Sequence, residues 1–194
     1  LAQIGIDGAL PPLSGRDGFA VISNNAGANK IDSFLERTVG YRATANETTG
    51  AVRATMTIAL TNTAPATGYP SYVIGSEFVD MPSGTNRTLL TIYSPLEHVG
   101  ATLDGKPIGM SRSEELGWNT YTVALELPPQ ATRTVVVELA GSVQPGDYQL
   151  VVRPQPMAHP DRVTISVGGD ADVEFSGTIS RRTVVDGHGT TALR

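Results

Sequence analysis

The sequence reads as an all-β protein, an immunoglobulin-like antiparallel sandwich with one short N-terminal helix, and three features carry that expectation. Apolar and polar residues alternate with a period of two over most of the chain, which is the mark of half-buried strands. Turn-forming residues interrupt the alternation about every 8 to 15 residues. Among 194 residues there are 21 glycines and 13 prolines, a content that favours many short elements over long helices. Two sheets packed face to face bury one side of every such strand. Cysteine is absent, so the expectation rests on periodicity and not on a Cys-Trp-Cys signature.

Taken in order, residues 1–17 (LAQIGIDGALPPLSGRD) have no sustained period and read as a connecting arm. GFAVIS (18–23) is a short apolar run between turn formers, a buried strand. In ANKIDSFLERTV, Ile31, Phe34, Leu35 and Thr38 or Val39 recur at helical spacing. This predicts a helix of about three turns near residues 28–38, with Asn25 or Asn29 capping its start and Gly40 ending it. From Tyr41 the period becomes two. In AVRATMTIALTN, Val52, Ala54, Met56, Ile58 and Leu60 face one way, and Arg53, Thr55, Thr57 and Thr61 the other. The pattern returns at Leu89 or Leu90 with Ile92, then at Tyr121 to Leu127 and Val135 to Leu139. It recurs at Tyr148 to Val152, Val163 to Val167 and Val173 to Phe175. Asp104-Gly105 supplies the positive φ of a tight hairpin. The expected division is therefore 1–39 for arm, strand and helix, 40–180 for the sandwich, and 181–194 for a C-terminal tail.

Composition excludes several functions. The net charge of −5, from 19 acidic against 14 basic residues with no basic cluster beyond Arg181-Arg182, would not neutralise a nucleic-acid backbone. The lack of cysteine leaves no disulfide, thiol nucleophile or thiolate metal site. No apolar run approaches the 18 or so residues that cross a membrane. His98, His159 and His188 are too scattered for metal-ligand spacing, and no phosphate-cradling glycine motif is present. No Gly-x-Ser-x-Gly elbow surrounds a serine, and Glu114-Glu115 are neighbours that point apart. GGDADVEF and DGHG read as turns and not as calcium loops. The expectation is thus no catalytic, cofactor or metal residue.

Two sets of residues remain. Tyr69 and Tyr72 flank Pro70, and Trp118 lies close to Tyr121; exposed rings of this kind stack on sugar faces, although rings in a sandwich core are commoner. Asn29, Lys30, Asp32, Glu36 and Arg37 would form the polar outer face of the helix, with Ile31, Phe34 and Leu35 holding it to the sandwich. That face is expected either to seat an upstream domain of the same chain or to cover an open edge strand.

GFAVISNNAGANKIDSFLERTVGYRA with MTIALTNTAPATGYPSYVIG, and GDYQLVVRPQPMAHPDRVTISV, resemble the C-terminal portion of the bacterial family called Domain of Unknown Function forty-twelve, common in actinobacteria. The pattern is carried by Asn29-Lys30-Ile31-Asp32, Tyr41, Asn62 to Pro65, Tyr148 to Leu150, and Gln155-Pro156, over roughly residues 18–167. The resemblance implies a longer envelope protein with a larger upstream domain, exposed outside the cytoplasmic membrane and anchored by an N-terminal membrane segment. It transfers no catalytic residues. The expected function is a non-catalytic extracytoplasmic module with a structural or partner-positioning role. Alternatives are a module recognising cell-envelope polysaccharide, and part of an envelope glycan hydrolase or transferase.

Overall fold

The structure, a computed structural model, describes residues 13–75 and 81–192; residues 1–12 of the expected arm lie outside the described residues. The alternation becomes strands β1 (Asp17–Asn25), β2 (Leu35–Ala45), β3 (Ala51–Asn62), β4 (Asn86–Ser94), β5 (Glu97–Leu103), β6 (Lys106–Pro107) and β7 (Ser111–Glu115). It continues with β8 (Trp118–Leu127), β9 (Thr132–Ser142), β10 (Gln149–Arg153), β11 (Arg162–Gly169), β12 (Val173–Thr178), β13 (Thr183–Asp186) and β14 (Gly189–Ala192). A single-turn helix, α1 (Ser71–Ile74), follows β3.

The strands form two sheets, packed as a sandwich. The first runs β14-β13-β10-β1-β4-β8-β7 and the second β12-β11-β2-β3-β9-β5-β6. Between them lies one main core, to which Met56, Ile58, Leu60, Leu90, Ile92, Val135 and Val137 contribute fully buried side chains. β3 behaves as its sequence predicts: Val52, Ala54, Met56, Ile58 and Leu60 are all inside, while Arg53, Thr55 and Thr57 are exposed. The Asp104-Gly105 turn has φ of 50° and 78° and joins β5 to β6.

The sandwich is as expected, but its sheets are mixed and not wholly antiparallel. β1 pairs with β10 in parallel, and β2 with β11 in parallel. The predicted domain boundaries at 39/40 and 180/181 also give way. β1 lies inside the first sheet, between β10 and β4, and β13 pairs with β10. Both segments are integral to the sandwich because each covers a strand that would otherwise leave its backbone groups open.

The predicted helix at 28–38 is the main correction. Only one turn of 3-10 helix, Ile31–Phe34, is present, and β2 begins at Leu35. Leu35, Arg37, Val39, Tyr41, Ala43 and Ala45 all point inward, so the true period is two. Arg37 occupies one of those inward positions and disguises the alternation. Asn29 does hold the start of the turn, its Oδ1 accepting from the Ile31 N–H at 3.2 Å, whereas Gly40 lies within β2 and ends nothing.

Candidate functional site

Two buried polar clusters join the sheets where their parallel pairs face each other. In the first, Asp17 of β1 accepts hydrogen bonds from the Tyr41 hydroxyl of β2 at 2.6 Å and from the Tyr148 hydroxyl, just before β10, at 2.5 Å. Its other oxygen accepts from the Gly18 N–H at 2.7 Å. In the second, the Arg37 guanidinium of β2 donates twice to Asp161, at 2.9 and 2.7 Å, and to the Ser23 hydroxyl of β1 at 2.8 Å. Gln155 completes it, accepting from Arg37 and from the Ser23 N–H and donating to the Ser23 carbonyl. Bidentate pairing of Arg37 with Asp161, and hydrogen bonds to both oxygens of each carboxylate, are what allow such groups to be buried.

Burial pushes the Asp17 carboxyl above its ordinary 3.8, against the lowering effect of the three donors. Burial, reinforced by the Asp17 charge, drives Tyr41 well above its ordinary value. A raised folded-state pKa means that the stability Asp17 contributes is fully present below 3.8 and is lost as pH rises through the folded value. Relative to Asp17→Asn, the wild type should therefore lose stability across that window at up to about 1.4 kcal/mol per pH unit, with no further change above it. Denaturant unfolding of both proteins between roughly pH 3 and pH 8 checks this; parallel stability curves would show that Asp17 does not titrate on unfolding.

The aromatic residues do not gather. Tyr69 and Tyr72 are exposed, at 51% and 67%, and Tyr69 meets Phe34 edge-on with centroids 5.3 Å apart. Trp118 and Tyr121 are each 1% exposed, which removes them as surface contacts. Trp118 packs with Leu13, Val151 and Val184, and the Tyr121 hydroxyl donates to the Leu96 carbonyl at 2.8 Å. Tyr121 faces the main core between the sheets, whereas Trp118 lies on the other face of the first sheet, in a separate apolar cluster; each ring is out of water for the same reason, its large apolar area.

The proposed polar face also divides. Arg37 is buried, contrary to expectation. Asn29 donates to the Gly75 carbonyl at 2.6 Å, and Asp32 accepts from Asn86 at 2.9 Å. Lys30 is exposed, and Glu36 lies 3.7 Å from Arg162. No group of three or more metal-ligating side chains converges among the described residues. His98 lies against the Tyr121 ring, His159 meets the Ser33 carbonyl, and His188 is in the β13–β14 turn.

The feature that sequence reading missed is a trough of about 1000 Å³ on the outer face of the second sheet. Its floor follows one cross-strand row: Ser176 of β12 opposite Thr164 of β11, Thr164 opposite Gly40 of β2, and Gly40 opposite Thr57 of β3. Arg42 and Arg162 stand on opposite walls, in the rows Ser166–Arg42–Thr55 and Arg162–Thr38. The exposed threonines of β3 were visible in its alternation; that the pair β2 and β3 would lie beside the pair β11 and β12, about a hundred residues on, was not.

All these features belong to a class, the all-β sandwich of two mixed sheets. No family model and no curated protein matches the sequence. Among solved structures, a candidate nutrient-binding protein of Legionella pneumophila is similar at a TM-score of 0.48 and 8% identity, over 77% of this chain and 54% of that one. A two-domain M1 zinc metallopeptidase bound to L-tryptophan gives a TM-score of 0.39 and 11% identity, over 78% and 42% of the two chains. An M1 zinc metallopeptidase from Deinococcus radiodurans gives 0.35 and 12%, over 82% and 39%. The chain thus spans about half the length of the first and about two fifths of the peptidases.

Proposed function

We propose that this chain is a non-catalytic module of a larger extracytoplasmic cell-envelope protein, with a structural or partner-positioning role. The observation that carries the reading is where the reactive side chains are used. Asp17 and Tyr41, like Arg37 and Asp161, are best equipped for acid-base chemistry, yet they are buried and fully engaged in joining one sheet to the other. The residues that carry the family resemblance fit the same picture. Tyr41 and Tyr148 hold Asp17, Gln155 holds Ser23, and the Asn62 side chain donates to the Gly84 and Leu127 carbonyls. Their pattern supports a shared scaffold, from which the envelope location and the upstream domain are inferred.

Incubation with envelope polysaccharides, esters and peptides should give no turnover, and the full-length protein should be cleaved by protease added outside intact cells. Turnover abolished by changing His98, His159 or His188 would overturn the non-catalytic reading, and protection from the external protease would overturn the location. A second reading, recognition of polysaccharide, is favoured by the hydroxyl-lined trough on the second sheet.

A further inference from the structure

We propose that the trough binds an acidic polysaccharide, laid across strands β12, β11, β2 and β3 with its carboxylates toward Arg42 and Arg162. This rests on the second reading and assigns it a site and a ligand class.

Gly40 is the first indication. A glycine in the middle of a strand weakens it, and often marks close approach of a ligand or of another backbone. Here the fold does not require one: its φ is not positive, and an added Cβ would meet nothing closer than the Thr164 hydroxyl at 3.5 Å. The missing side chain instead leaves the floor of the trough open between Thr57 and Thr164. The second indication is periodic. Ser176 and Thr164 present hydroxyls from adjacent strands about 4.8 Å apart, and Thr57 lies two strands beyond Thr164, about 9.6 Å away across Gly40, steps comparable to one and two pyranoses along an extended chain. These hydroxyls have no hydrogen-bond partner among the described residues, so they are available to sugar hydroxyls.

Charge selects an acidic chain over a neutral one. The trough carries Arg42 and Arg162 against one carboxylate, Glu174, and Glu174 already accepts from the Ser166 hydroxyl at 2.7 Å. Arg162 is held only loosely by Glu36, at 3.7 Å. Arg42 is exposed and has no partner among the described residues. A guanidinium offers a planar pair of donors that matches a carboxylate. A protein partner fits less well, because its interface would need an apolar centre and none of the exposed large hydrophobic residues lines the trough.

The test is retention of the chain in affinity electrophoresis and calorimetry with polygalacturonate oligomers, with dextran as the neutral comparison. Wild type should bind polygalacturonate in a salt-sensitive manner and dextran more weakly. Gly40→Tyr, which fills the trough from a half-buried position on the outer face of β2, should abolish binding without lowering Tm. Arg42→Gln should weaken it roughly tenfold or more, as expected for one charge-assisted contact, while Tyr69→Ala with Tyr72→Ala should leave it unchanged. Absence of wild-type binding, or Gly40→Tyr binding like wild type, would overturn the site. Equal binding of dextran with a harmless Arg42→Gln would overturn the acidic ligand. Chain-length analysis of the recovered oligomers separates the two readings: shortening would break the non-catalytic reading even if the trough binds, and loss of binding without shortening breaks only the trough.

Discussion

Replacing Arg37 with Met will destabilise the sandwich by about 3–5 kcal/mol, because it leaves a buried carboxylate without its counter-charge. Asp161 is 6% exposed and receives two of the guanidinium's hydrogen bonds. The double replacement Arg37→Met with Asp161→Leu should recover much of the stability, since exchanging a whole buried pair for apolar groups is often neutral or better. Denaturant unfolding of the two single variants and the double variant measures the coupling. If the single and double variants lose the same amount, the pair is not a unit and Arg37 acts only through its packing.

Ile58→Asp will prevent folding altogether. Ile58 is 0% exposed and faces Val39 on one neighbouring strand and Val135 on the other, so no water or partner can reach a carboxylate placed there. The cost of an unpaired charge in such a position exceeds about 4–5 kcal/mol, a large part of the roughly 5–15 kcal/mol that a domain has. The matched change Thr57→Asp, one residue away on the exposed face of β3, should alter stability by no more than about 0.5 kcal/mol. Circular dichroism and urea unfolding of both proteins decide the matter. A cooperative, near-native unfolding transition for Ile58→Asp would mean that β3 turns its other face to the core.

Some of this molecule is legible in one dimension because local sequence alone decides it. Along their central stretches β3, β9 and β11 bury every second residue, so the strand period is complete within each segment. The Asp104-Gly105 hairpin is equally local, since its turn needs only two residues that tolerate positive φ. β2 obeys the same two-residue rule, but its alternation contains a charge. With Arg37 counted as a surface residue and Ile31, Phe34 and Leu35 just before it, a helical period fits the same window. What makes Arg37 an interior residue is Asp161, 124 positions away, and no local pattern contains that partner.

Burial of rings and alignment of strands are decided in the same non-local way. Tyr69 and Trp118 are both aromatic residues beside turns, yet one is exposed and the other is closed in by Leu13, Val151 and Val184. The sequence by itself determined an all-β sandwich, most of its inward-facing residues and its tight turns, because alternation and turn chemistry act over a few neighbouring residues. The tertiary structure alone decided the two parallel pairs, the buried ion pair and the Gly40 trough. Each of these brings together segments separated by a hundred residues or more, through backbone pairing and burial that only the assembled sheets supply.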